Sequence, residues 1–298
     1  MTDEEAPGPA VSPAVSPAAG RTVRGTAGAL LRSAHPVPAA AVTVLTALLA
    51  AGSGLHPGRA LLVTAAVGTG QLTIGWTNDL LDAERDRQVG RTDKPLAGGE
   101  VSEAVVRRAV AGTLALCVVL SLACGPASAA LNVLLGAGSG WAYNLVLKRT
   151  VWSAVPYALA FGSLPAVVST AGEPGAWPPL WAPVAGALLG VGAHLLNVLP
   201  DLADDARTGV RGLPHRLGER RVRVLAPLVL LVGALAALLG PWLATAPAAD
   251  RPAAVWTWGG LLVCAALAGV ALVARGRTPF LAAIGIALVV VVSLVAGT

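Results

Sequence analysis

The sequence predicts an all-α polytopic membrane protein, a bundle of nine transmembrane helices built from two related halves. Three observations carry that prediction. Of the 298 residues, 55% are hydrophobic and only 12% charged, with a mean hydropathy of +0.71; an ordinary soluble domain carries about 25% charge. Apolar runs near the ~20 residues needed to cross a hydrocarbon core recur along the whole length. The basic residues gather on one side of those runs. This balance excludes a disordered chain, a small disulfide scaffold and a water-soluble α/β enzyme. Cys117, Cys124 and Cys264 lie in or beside apolar runs without a CxxC pair, so they read as buried thiols rather than a disulfide or zinc framework.

Residues 1–30 read as a disordered cytoplasmic tail, Pro/Ala/Ser-rich over 1–20 with an acidic start, and residues 31–298 as the transmembrane domain. Nine apolar segments follow one another at about 36–55, 60–79, 104–123, 128–147, 151–171, 179–199, 222–243, 253–274 and 279–297. Each must be helical, because unpaired backbone amides cannot face lipid. Gly136, Gly138 and Gly140 in the fourth segment, and Gly186, Gly190 and Gly192 in the sixth, are small residues that let helices approach closely. Of the 21 Lys and Arg, 19 fall before the first segment or in alternate loops, and only Arg59 and Arg251 lie opposite. By the positive-inside rule that basic face is cytoplasmic, with the N-terminus inside and the C-terminus outside. The net positive charge therefore reads as orientation in the cell (plasma) membrane and not as nucleic-acid binding.

The carboxylates outside the tail concentrate where two apolar helices run into large basic loops. Asn78, Asp82 and Asp86 are spaced by four, and so are Asn197, Asp201 and Asp205. Four-residue spacing stacks side chains on one helical face, where like charges repel unless a cation sits among them. The pattern N-x3-D-x3-D-x3-G-x4-P occurs at Asn78–Pro95 and again 119 positions later at Asn197–Pro214. Two copies on one membrane face predict two related halves meeting over a shared site. Ionisable groups at the membrane edge of a bundle mark a substrate or ion path. Oxygen ligands without a convergent His or Cys set suit Mg²⁺, Mn²⁺ or Ca²⁺. Two acid ladders with Arg and Lys nearby describe a clamp for a diphosphate, and a Gly/Ala-lined bundle beside it describes a lipid-like substrate such as an isoprenyl diphosphate.

These residues resemble a known family. The NDLLDAERD stretch is similar to the NDxxDxxxD motif of the UbiA superfamily of intramembrane prenyltransferases, and DLADD to its second motif, DxxxD. DKPLAGGEVS, YNLVLKRT, SAVPYALAFGSLP and LPHRLGERR also look like family sequence, so the resemblance covers about residues 30–298. It implies a UbiA-like bundle of nine helices. It also implies that Asn78, Asp82 and Asp86 hold one Mg²⁺ and Asp201 with Asp205 the other, the acids being the catalytic centre. Asp79, Asn197 and Asp204 would support those ligands, while Arg91, Lys94 and Lys148 would contact the diphosphate. The implied function is Mg²⁺-dependent transfer of an isoprenyl group from a prenyl diphosphate to an aromatic or other electron-rich acceptor. A UbiA-type terpene cyclase would use the same ions without an acceptor, and a transporter would use the acids as an ion path. One departure is that Tyr143 and Lys148 stand five apart where the family has YxxxK, about 140° apart on a continuous helix. Trp76, two residues before Asn78, offers an aromatic face toward the allyl chain, and His194 reads as a core histidine.

Overall fold

The computed structural model describes residues 23–91, 94–207, 209–244 and 253–297. The first 22 residues of the expected tail, like Arg251, lie outside the described residues. Every regular element among the described residues is helical. Helix α1 (Val23–Ser33) is followed by α2 (Pro36–Gly52), bent from it by 72° at His35, whose backbone sits in the left-handed region at φ 52°. Residues 23–30, assigned to the tail from composition, thus begin an ordered helix. Ala29 and Ala34 are buried against α3 (Pro57–Gln88), and the Trp76 indole Nε1 donates to the Leu30 carbonyl at 2.8 Å. Trp76 therefore packs the N-terminal helix onto the bundle.

Helix α3 has 32 residues, about 48 Å at 1.5 Å per residue, longer than a ~30 Å hydrocarbon core. Its last three turns carry the first acidic motif beyond the apolar part. Helix α4 (Glu103–Ala123) starts at the cap residue Ser102, whose hydroxyl accepts from the Val105 amide. The fourth apolar segment is not one straight helix. It divides into α5 (Pro126–Ala130), a π-helical stretch at Leu131–Ala137 and α6 (Gly138–Leu145), then ends in a 3₁₀ turn at Leu147–Arg149. Helix α7 (Val155–Ser169) leads to α8 (Trp181–Val198), which breaks into a 3₁₀ turn at Leu199–Asp201 and the short α9 (Leu202–Arg207). Pro200 explains the break, because it lacks the amide that a continuing helix needs. The remaining elements are α10 (Leu213–Leu217), α11 (Glu219–Leu243), α12 (Ala254–Val273) and α13 (Thr278–Gly297).

Neighbouring helices pack in sequence, and α13 returns to α2, which closes the bundle. One core joins α8, α11, α12 and α13 through Leu196, Leu230, Leu238 and Ile286. A second joins α2, α3 and α7 through Val42, Val63, Val67 and Val167. The glycines of α8 set the helix spacing: a Cβ at Gly190 would lie 2.6 Å from the Tyr157 carbonyl oxygen and 2.8 Å from the Phe161 Cβ. Among the described residues, five helices (α4, α8 continued to Asp201, α11, α12 and α13) are long and apolar enough to cross a membrane, six if the bent α1–α2 pair forms one span. Helix α7 is shorter, α3 ends in the charged first motif, and the fourth segment is divided into pieces each too short to count.

Candidate active site

The two acidic motifs end in the same local structure. At the first, the Arg91 amide donates to the Asp86 carbonyl and the Gly90 amide to that of Arg87. At the second, the Val210 amide donates to Asp205 and the Gly209 amide to Ala206, at equivalent positions. Each is the glycine-terminated pair of bonds that closes a helix C-terminus. Gly90 and Gly209 supply the positive φ this turn demands, at 69° and 80°. The sequence repeat is thus also a repeat in backbone geometry, and it fixes Asp86 and Asp205 at corresponding points. The expected stack of Asn197, Asp201 and Asp205 on one continuous α-helical face is interrupted, because a 3₁₀ turn at Leu199–Asp201, which contains Pro200, changes the residues per turn between them. Asp201 is exposed, and Asp205 is turned inward with its side chain 23% exposed.

Arg85 joins the motifs. Its Nη2 lies 3.2 Å from Asp82 Oδ2 and 3.9 Å from Asp86 Oδ1, and its Nη1 lies 4.0 Å from Asp205 Oδ1. Asp82 and Asp86 are buried at 5% and 4% exposure, so these charges interact in a poorly screened environment. The Lys148 ammonium donates to the other oxygen of Asp82 at 2.5 Å, with both side chains 7% exposed. Burial pulls the Lys148 pKa below its usual range while Asp82 pulls it back up. Burial is also the main reason that Asp205 is pushed up to about 6; Arg85 opposes the shift, and Asp201 and Asp82 add to it. The His215 ring lies 3.6 Å from Asp205, too far for a hydrogen bond, and burial lowers its pKa.

The other sequence-predicted residues separate into distinct settings. Asn78 donates its amide to Asn144 Oδ1 at 3.2 Å, and Asn144 donates to the Ile74 carbonyl. Asp79 is buried and pairs with Lys94 at 2.6 Å and with His35 Nε2 at 2.9 Å. Lys94 is therefore hydrogen-bonded to Asp79, while its charge also acts on Asp86. Arg91 is half-buried in the glycine turn, and Asp204 is exposed and pairs with Arg207. Asn197 is hydrogen-bonded to the Tyr157 side chain.

Tyr143 belongs to an inner ring cluster, 5.3 Å from Tyr157 and 5.6 Å from His194 between centroids. The 140° separation from Lys148 does not apply, because α6 ends at Leu145 and Lys148 sits on the 3₁₀ turn. His194 is fully buried, with Nε2 3.1 Å from the Ser153 hydroxyl, in keeping with a core histidine. Sequence reasoning missed Arg85 and His35. Arg85 stands three residues after Asp82, a spacing that puts both on one face. His35 had no local signal, since its partner is 44 residues away.

The donor set fits a hard divalent cation: it is all oxygen, and acids from both motifs are already organised around a positive charge. Among the described residues, no three His, Cys, Asp or Glu side chains converge on one point; Arg85 and Lys148 are paired with the carboxylates. A closed helical membrane bundle with duplicated aspartate motifs brought together by Arg85 defines the class of protein, a polytopic helical bundle with one acid-lined site. The UbiA prenyltransferase family profile matches residues 39–279, and the chain belongs to that family. It is a prenyltransferase and an integral membrane protein. Digeranylgeranylglyceryl phosphate synthase of Methanopyrus kandleri is 31% identical over 206 residues, which cover 64% of this chain and 70% of the relative. The structure of a UbiA homologue from Archaeoglobus fulgidus bound to GPP and Mg²⁺ superposes with a TM-score of 0.69 at 16% identity, covering 91% of this chain and all of that one. The apo structure of a UbiA homologue from Aeropyrum pernix K1 gives 0.68 at 18% identity, covering 90% of this chain and 97% of that one.

Proposed function

We propose that this chain transfers an isoprenyl group from a prenyl diphosphate to a lipid-like acceptor in a Mg²⁺-dependent reaction. The observation that carries the reading is Arg85 bridging Asp82 and Asp86 of one motif to Asp205 of the other, which means both motifs serve one charge. Asn78, Asp82 and Asp86 would hold one ion, and Asp201 with Asp205 the other. Magnesium so held supplies electrostatic neutralisation of the diphosphate, which lets the C1–O bond ionise toward an allylic cation. Asp79, Asn197 and Asp204 would keep the neighbouring backbone and ligands in position. Lys148, released from Asp82, together with Arg91 and Lys94, would meet diphosphate oxygens. The ring cluster of Tyr143, Tyr157 and His194 would wall the chamber below the acids and keep water from the cation.

The family resemblance implies an aromatic or other electron-rich acceptor. The named relative favours instead an alcohol on a glyceryl phosphate lipid, whose hydroxyl oxygen forms the new bond to C1 as the C1–O bond to diphosphate breaks, its proton passing to the released diphosphate. In this reading nine spans cross the plasma membrane, the residues ahead of α1 lie on the cytoplasmic side, and both motifs face the cytoplasm. The test is product analysis with geranyl, farnesyl and geranylgeranyl diphosphates against geranylgeranylglyceryl phosphate and a panel of phenols. The expected result is an ether-linked product and one diphosphate per turnover, dependent on Mg²⁺. A prenylated phenol would restore the aromatic reading, and a cyclic hydrocarbon or alcohol formed without acceptor would assign a terpene cyclase.

A further inference from the structure

Arg85 lies within the first motif but in the middle of both. Its guanidinium faces Asp82 and Asp86 on its own helix and Asp205 on α9, while Lys148 approaches Asp82 from the opposite side. The next charged or titratable groups are His215 and Asp201, which act on Asp205; Lys94 and Arg91, which act on Asp86; and Arg149, which acts on Lys148. A guanidinium keeps its proton at any pH at which the fold survives, so it can leave the carboxylates only by moving. Its side chain is 25% exposed, which leaves a route outward. Among the described residues no three acids converge on one point, and the guanidinium lies 3.2 to 4.0 Å from the three acids a divalent cation would gather.

We propose that Arg85 is an internal counter-ion of the two aspartate motifs: it competes with the metal for the carboxylates and, once displaced, grips the diphosphate that follows. The proposal rests on the two-motif reading above and adds a residue with two opposed roles. In the metal-free chain the guanidinium holds Asp82, Asp86 and Asp205 together and offsets their mutual repulsion. Cations held by those acids repel it, and its planar fork of N–H donors then lies beside the anion being bound. That geometry suits paired bonds to phosphate oxygens. Metal loading and diphosphate capture are thereby coupled, because the arginine is available to the diphosphate only after the acids have exchanged it for metal.

The test compares full-length wild type, Arg85→Gln and Arg85→Lys in detergent, by two binding measurements. Mn²⁺ alone is titrated and followed by electron paramagnetic resonance, and a non-ionisable thio-analogue of geranyl diphosphate is titrated by calorimetry at saturating Mg²⁺. Arg85→Gln is expected to bind Mn²⁺ about tenfold tighter or more, the factor that roughly 1.4 kcal/mol of removed competition represents. The same metal-loaded variant is expected to bind the analogue about tenfold more weakly. Arg85→Lys shifts both affinities in the same opposed directions by less, and it carries the test if the Gln variant does not fold. Affinities that fall together assign Arg85 to stapling α3 to α9 and overturn the proposal, as does unchanged Mn²⁺ binding. Asp82→Asn is measured alongside: wild-type Mn²⁺ binding insensitive to that change overturns the two-motif reading itself, whereas sensitive binding with no Arg85 effect overturns only this proposal.

Discussion

Asp82→Asn is the most informative single substitution, because it separates the fold from the chemistry. Lys148 reaches Asp82 at 2.5 Å with both side chains 7% exposed; Arg85 and Arg149 repel it, and Asp205 attracts it from further off. Removing the carboxylate leaves a buried ammonium without its ion-pair partner, a change that costs about 3–5 kcal/mol. Lys148→Met costs less, because Asp82 keeps Arg85 at 3.2 Å. Combining the two removes the stranded charge, so the double variant recovers at least half of the Asp82→Asn loss, with a coupling of about 2 kcal/mol. The assay is equilibrium unfolding by SDS in mixed micelles without divalent metal, followed by tryptophan fluorescence, with diphosphate release measured on the same preparations. Asp82→Asn and the double variant are both expected to be inactive, although the double variant regains stability. An Asp82→Asn protein within about 0.5 kcal/mol of wild type, the range of an ordinary surface change, refutes the buried-pair argument. A double variant no more stable than Asp82→Asn refutes it as well.

Other consequences follow from the same geometry. Asp205, pushed up to about 6 mainly by burial, stabilises the metal-free fold by taking a proton below that pH, and this contribution is lost as pH rises through it. Divalent binding needs the carboxylate, so Mn²⁺ affinity should be weaker near pH 5.5 than near pH 7.5; an affinity that rises toward acid contradicts Asp205 as a ligand. Gly90→Ala and Gly209→Ala force a Cβ into left-handed backbone at φ 69° and 80°, at about 1–2 kcal/mol each. Both should lower metal affinity as the terminal acid of each motif shifts, and equal wild-type affinity in both would deny the turns a positioning role. Gly190→Ala drives a methyl to 2.6 Å from the Tyr157 carbonyl, which overpacks α7 against α8 by about 1–3 kcal/mol in micelle unfolding. No loss of stability there would mean the two helices do not approach as described.

The sequence determined the class of molecule. Hydropathy, charge partition and the duplicated N-x3-D-x3-D-x3-G-x4-P pattern are local properties, and each is written into short stretches of chain. The glycine of each repeat was legible for the same reason, since the turn it closes involves only its near neighbours. The second ladder was misjudged over one residue: Pro200 denies the helix a hydrogen bond, and that outweighs the four-residue spacing of Asn197, Asp201 and Asp205. The partners of charged side chains were decided by tertiary structure alone. Lys148 and Lys94, both expected at phosphate, face Asp82 and Asp79 from 66 and 15 residues away, and Arg85 meets an acid of the other motif. Spacing along a helix fixes which residues share a face. The identity of the opposite charge across the gap depends on how separate helices pack, and in a buried setting that choice governs where each cation rests.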